Sequence, residues 1–283
     1  MTASIASAGP ALPESLSEAA VAVLGAAEPA AKVALTERAA AAWARREITE
    51  IGSATPPNRP ARPARPTLVP PRAVPRRRIG PDPGGRIALL HAVAHIELNA
   101  IDLAWDLIAR FGPEATRSGL PRDFFDDWCR VAADEARHFS LLSARLADLG
   151  AAYGDLPAHD GLWEAARATA GDLLARLAVV PLVLEARGLD VTPGMIEKLR
   201  RAGDTASVAA LEVIYREEIS HVAAGERCFT FLCERLGRPP GPAWQALVRQ
   251  HFKGLLKPPF NDEARRAAGM SPDVYGYFTG LGP

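Results

Sequence analysis

The pattern Glu-x-x-His occurs twice in the chain, as Glu135-Ala136-Arg137-His138 and Glu218-Ile219-Ser220-His221. A lone glutamate in an apolar stretch precedes each copy: Glu97 before the first and Glu185 before the second. Residues three apart on a helix share a face, so each Glu-His pair can reach one metal ion together. Carboxylates are hard anionic ligands able to bridge two cations, and imidazole is a borderline ligand that suits iron among other metals. Four helices packed side by side would bring the six side chains to one point. That is the donor set of a carboxylate-bridged di-iron or di-manganese centre, with positions left open for water, dioxygen or substrate. A single Glu-x-x-His is usually a solvated pair. Two copies in this order, each following a further glutamate, argue for metal, because an apolar interior rejects such groups unless something satisfies them.

The elements that must position these residues are legible as buried stripes. One runs Leu90, Ala94, Glu97, Ile101, Ile108, and a second runs Phe124, Trp128, Val131, Glu135, His138, Leu142, Leu149. A third reads Leu174, Ala178, Pro181, Glu185, and a fourth Leu211, Ile214, Glu218, His221, Gly225, Phe229, Leu232. Each is a helical core period with charged residues at its middle. The first helix is expected to start after Gly84-Gly85 and stop near Gly112-Pro113. The second starts after Pro121, with Asp123 as its cap, and ends at Gly150. The third is expected from Asp160 to about Gly188, kinked by Pro181, with Glu185 near its end. A short helix follows Thr192-Pro193, and the fourth starts near Asp204.

Residues 1–85 read as an Ala/Pro-rich arm: helix over about 14–49, interrupted near Pro29, then an extended strap over 56–83 where proline recurs too often for helix. Residues 86–237 hold the four-helix bundle, and 238–283 form a tail that packs on it. The fold class is therefore all-α. Lys+Arg and Asp+Glu both number 33, so net charge indicates no partner. Cys129, Cys228 and Cys233 form no Cys-x-x-Cys pair, which fits reduced thiols in a cytoplasmic protein. Neither a run of 18 apolar residues nor a basic-then-apolar N-terminal segment is present, so no membrane span and no signal peptide are expected.

The runs HAVAHIELNAIDLAWDL, DEARHFSLLSARLADLGAAYGDLPAHDGLWE, LEARGLDVTPGM and EEISHVAAGERCF resemble an uncharacterised ferritin-like family, domain of unknown function 455, over roughly 56–280. The ligand order resembles that of the wider ferritin-like superfamily of ferritins, rubrerythrins and di-iron oxygenases. The resemblance implies a ferritin-like four-helix bundle and a metal expectation, but no reaction. Asp134-Glu135-Ala136-Arg137-His138 is similar to the D-E-x-R-H motif of bacterial di-iron oxygenases, where the aspartate supports a ligand histidine. Here Asp134 and Glu217 precede the two ligand glutamates, and each is either an orienting partner of the opposite histidine or a surface charge.

The expected cofactor is two iron ions, with manganese or a mixed pair as alternatives. Glu97, Glu135 and His138 would hold mainly one metal; Glu185, Glu218 and His221 would hold mainly the other. The expected activity is oxidoreduction with dioxygen or peroxide, served by an electron donor. Its substrate would be a small molecule or, given the tRNA-modifying hydroxylases with the same ligand order, a modified RNA base. The alternatives are a ferroxidase or peroxide-detoxifying protein and a non-catalytic, metal-stabilised bundle. A substrate-sized cavity reaching the metals would separate the first class from the others.

Outside this set, His91 and His95 are expected to pack or hydrogen-bond, His159 to make a turn or cap contact, and Arg187 to pair with Asp190 or a bundle carboxylate. His251 has no partner legible in the sequence. Seven arginines and no acid lie between Arg59 and Arg78. They either pin the strap to the bundle or bind RNA. In the tail, Tyr275, Tyr277 and Phe278 are expected to bury rings against the bundle, either far from the metals or as a lid.

Overall fold

The computed structural model describes residues 11–75, 77–80 and 82–279, apart from the side chains of Tyr277 and Thr279. Arg76 of the strap and the Tyr277 ring therefore lie outside the described residues. The described residues are all-helical, with no strand beyond two isolated bridges, Ser15 to Glu50 and Leu68 to Ala158.

Two short helices open the chain: α1, Leu16–Gly25, capped by the Ser15 side chain, and α2, Pro29–Ala44, with its proline at the first turn. The strap follows, extended except for a single turn at Pro71–Ala73. Four elements then carry the expected ligands. These are α3, Gly84–Arg117; α4, Arg122–Asp148; a kinked rod made of α6, Leu173–Val179, and α7, Ala186–Arg201; and α8, Thr205–Arg235. A small helix α5, Gly161–Ala168, lies before the rod. The tail holds α9, Pro240–His251; α10, Asp262–Ala267; and α11, Pro272–Tyr275. Helix α3 packs on α4, α4 on α8, and α8 on α7, while α1 lies on α3 and α2 on α4. Leu24 and Trp43 of the arm join the same hydrophobic cluster as Ile108, Phe124 and Leu211. Each such fully buried side chain contributes roughly 1.5–3 kcal/mol.

Helix α3 meets the length and hydropathy required to cross a membrane, yet 78% of that window is buried against the rest of the protein. It is the core helix. It also runs through Pro113 instead of stopping there. Ala115 beyond the proline is fully buried, and Gly112 sits close to Ile51 and Phe125, so packing holds the last turn helical. In α4, Asp123 lies in the first turn and not at the cap, which is Pro121. There the carboxylate favours the positive end of the helix.

The third helix differs most from expectation. It is broken at 169–172, where Asp172 caps a fresh start by accepting from Ala175 N–H. The proline at 181 is absorbed in a π-helical segment, Val180–Glu185, and the helix then continues without a stop through Gly188 and Pro193 to Arg201. Glu185 is thus mid-rod and not near an end. Three contacts explain this. Gly225 of α8 lets Pro181 pack close: a Cβ there would stand 2.4 Å from Pro181 Cβ. The tail's Trp244 Nε1 donates to Ala178 O, just before the π segment, at 3.0 Å. Asn261 Nδ2 donates to Leu189 O at 3.1 Å, taking the carbonyl that Pro193, lacking an N–H, leaves unpaired. The tail therefore braces the rod at both prolines.

Candidate metal centre

Glu97 on α3, Glu135 and His138 on α4, and Glu218 on α8 offer ligand atoms that all lie within 4.8 Å of one another. His221 joins from α8, with Nδ1 at 3.1 Å from Glu135 Oε1 and 3.6 Å from Glu218 Oε1. His138 Nδ1 lies 3.3 Å from Glu97 Oε2 and 3.4 Å from Glu135 Oε2. Glu135 therefore stands between the two imidazoles, one oxygen toward each. Glu185, from the π segment, is not one of the four residues whose ligand atoms lie that close, but it shares a cavity wall with Glu97, Glu135 and Glu218. The two rings are fully buried, with centroids 5.8 Å apart.

Both imidazoles turn Nδ1 inward and Nε2 outward. His138 Nε2–H donates to Glu217 Oε2 at 2.7 Å, and His221 Nε2–H donates to Asp134 Oδ2 at 3.2 Å. The pairing is crossed, since each histidine is held by the acid of the other helix. A carboxylate only accepts, so these contacts fix a proton on each Nε2 and turn Nδ1, the atom a metal would take, toward the cluster. Arg137 ties the two acids together, at 2.6 Å to Asp134 Oδ1 and 2.8 Å to Glu217 Oε2. Arg137 was not singled out in the sequence; its position three residues after Asp134 on one helix face is the signal that was there.

Burial, and after it the charge of Glu135, pushes the Glu97 carboxyl well above the usual range. Burial followed by Glu218 and Glu135 does the same to Glu185, and burial followed by Glu135 raises Glu218. Burial would raise Glu135 too, but the close approach of the His138 and His221 imidazoles and of the Glu97 carboxyl holds it well below. His138, despite burial, is lifted to about 11 by Glu135 and Glu97. Metal-free, the cluster is short of positive charge and borrows protons to make up the difference.

The cluster also opens on a cavity of about 140 Å³. Its walls are largely apolar, among them Val93, Ile96, Leu103, Leu162, Val191 and Met195, with Arg187 as the one cation among the described lining residues. Among the described residues no lining residue follows Glu218, so the described part of the tail does not cover this cavity. Its rings pack elsewhere: Tyr275 edge-on to Phe260 at 5.0 Å, and Phe278 edge-on to Trp244 at 5.6 Å. The tail touches a lining residue through Lys257 O, which accepts from Arg187.

Residues 25–276 match a family described as "Protein of unknown function (DUF455)". The chain belongs to this family. An uncharacterized protein of Haemophilus influenzae is 43% identical over 208 residues, covering 73% of this chain and 72% of that protein. No solved structure matches the chain.

The donors of this DUF455 protein fit a metal on physical grounds. Both Glu135 oxygens, Glu185 Oε2 and His221 Nδ1 are buried with no hydrogen-bond partner. Four such atoms converging in one interior would each cost about 1–3 kcal/mol if left unsatisfied. Cations at their centre would satisfy all of them. The other histidines are engaged within the protein. His91 Nε2 accepts from Gly154 N–H, and His95 is held by Tyr153 OH and His159 O. His159 Nδ1 accepts from Gly161 N–H, and His251 Nδ1 donates to Ala168 O. Arg187 and Asp190 approach to 3.4 Å.

Proposed function

We propose that this protein is a ferritin-like, non-haem di-metal oxidoreductase, most simply di-iron, that oxidises a largely apolar small molecule at the expense of dioxygen or peroxide. The observation that carries this reading is the apolar cavity with Glu97, Glu135, Glu185 and Glu218 in its wall. A ferroxidase needs a path for ions, whereas this wall is suited to carbon. Glu97, Glu135 and His138 would hold one ion and Glu185, Glu218 and His221 the other, with Glu135 placed to bridge.

When bound, the two ions supply binding and reductive activation of the oxidant, with electrons from a separate donor. The chain's own residues do the rest. Glu217 and Asp134 keep the Nε2 protons and so turn both Nδ1 atoms inward. Val93, Leu103 and Leu162 exclude water, which keeps oxidation confined to what enters the cavity. The three cysteines are buried and unpaired, and burial raises the Cys228 thiol to about 12 and Cys233 to about 11. Such unreactive thiols fit a reducing cytoplasm.

One variant tests the reading. Ala100 lies in the cavity wall and is buried. Ala100→Phe fills the cavity without removing a ligand. The expected result is retained metal and retained oxidation of added ferrous iron, with loss of oxidation of apolar test substrates by the reduced, iron-loaded protein. Wild-type protein that oxidises ferrous iron but no apolar compound would favour a ferroxidase and overturn the substrate reading.

A further inference from the structure

The strap has two halves with different fates. Its first arginines are consumed by the protein: Arg59 pairs with Asp160, and Arg62 lies 3.0 Å from Asp102 and donates to Asn99 at 2.6 Å. Arg77 and Arg78, in contrast, have no ion-pair partner among the described residues. They line a crevice of about 770 Å³ together with Arg86, Lys198 and Arg201. That makes five cations, with no acid among the described lining residues. Lys198 is likewise without an ion-pair partner among the described residues, and Arg86 Nε is buried with no hydrogen-bond partner.

The crevice is built and not incidental. The strap crosses the start of α3 at Gly85, where a Cβ would stand 1.7 Å from Arg78 O. Only glycine allows that approach, and it seats Arg77 and Arg78 opposite the end of α7. The acids nearby are already engaged. Asp82 accepts from Gly84 N–H, Glu197 pairs with Arg200 and Arg201, and Asp204 pairs with Arg145 and lies 3.5 Å from Arg86. Clustered cations held this close repel one another, and an anion offsets that repulsion.

We propose that this crevice is a phosphate-binding site, distinct from the metal centre, for a ligand carrying more than one phosphate group. Guanidinium forks suit phosphate oxygens, and the crevice has room for several phosphates. Its position adds a consequence. Arg86 and Glu97 are eleven residues apart on α3, and Met195 of the cavity wall lies one turn before Lys198 on α7. At the helical rise a phosphate bound there lies about 16 Å along α3 from the carboxylates. The site does not depend on the metal reading, because its residues hold no ligand of the cluster.

The test is calorimetric titration of the whole protein at low ionic strength with two probes, inorganic tripolyphosphate and a short single-stranded RNA. The variant is Arg78→Glu with Lys198→Glu, both outside the core, checked for unchanged helicity and metal content. Saturable binding that falls at least about tenfold in the double variant is expected, with affinity dropping as salt rises. Gly85→Val, which unseats the strap while keeping every cation, is expected to weaken binding too. Tripolyphosphate binding alone would identify a small phosphorylated ligand. RNA binding with a steeper salt dependence would identify a nucleic acid. No binding of either probe, or undiminished binding in the double variant, would overturn the proposal.

Discussion

Two sets of buried carboxylates meet at α3, one lying wholly on it and the other reaching it through Glu97, and they are satisfied in opposite ways. Asp102 and Asp106 of α3 are fully buried, and the protein supplies their counter-charges. Lys32 reaches Asp102 at 2.5 Å, Arg62 approaches it at 3.0 Å, and Arg176 and Arg110 hold Asp106 at 2.6 and 2.7 Å. Glu97, five residues before Asp102, and its partners Glu135, Glu185 and Glu218 have no lysine or arginine ion-paired to them among the described residues; His138 and His221 are the bases that approach them. The difference separates a structural ion cluster from a candidate metal site. A buried acid matched by a fixed cation is complete, whereas an acid left with orphaned oxygens calls for a cation from outside.

If that contrast holds, removing a protein cation from the first set has the largest effect. Arg176 is fully buried and also donates to Thr169 Oγ1 and Ala166 O. Arg176→Met is expected to destabilise the protein by roughly 3–5 kcal/mol, with or without metal, because Asp106 loses its buried partner. Chemical denaturation measures this. A loss under about 1 kcal/mol would mean the first set is not held by its ion pairs.

The histidines sharpen the contrast through pH. Burial lowers His95 to about 4, against hydrogen bonding to His159 O. A histidine depressed on folding stabilises the protein above its unfolded value of about 6.5, and that contribution is lost as pH falls toward 4. The loss is of order 3 kcal/mol and should shrink in His95→Asn. His138 runs the other way: in metal-free protein its contribution is present below about 6.5 and lost as pH rises through about 11. Matching acid-side profiles for wild type and His95→Asn would show that His95 does not stay neutral in the fold.

Glu185→Gln is the smallest and most diagnostic change. It removes one of the carboxyls that Glu218 and Glu135 oppose. Metal-free protein is expected to gain about 1 kcal/mol, while metal affinity falls. In the ion cluster, by comparison, any deletion should destabilise. A loss of metal-free stability in Glu185→Gln would place Glu185 among the structural acids.

The unequal legibility of the two sets has a physical origin. Glu135 with His138 and Glu218 with His221 are local pairs, and helical geometry makes three-residue spacing visible in the sequence. The Lys32–Asp102 and Arg176–Asp106 pairs each join positions 70 residues apart, which no local spacing records. Asp102 and Asp106 could still have been noticed as two acids four apart on an apolar helix. The π segment was read as a simple kink because the contact that stabilises it, Gly225 against Pro181, lies on another helix. The continuation of α7 past Pro193 depends on Asn261 in the tail, far along the chain. The all-helical class followed from the helical period of the buried stripes, and the arm broken at Pro29 and the start of α8 after Asp204 from proline placement and caps.

The most direct test of the central claim is metal analysis paired with thermal unfolding, on wild type and on the double variant His138→Ala, His221→Ala. The expected result is about two transition-metal ions per wild-type chain, with a melting temperature that falls on chelation. The double variant should lose most of the metal, and chelation should no longer change its stability. Full metal content in the double variant, or a wild-type protein whose stability ignores both added ferrous iron and chelator, would contradict the account.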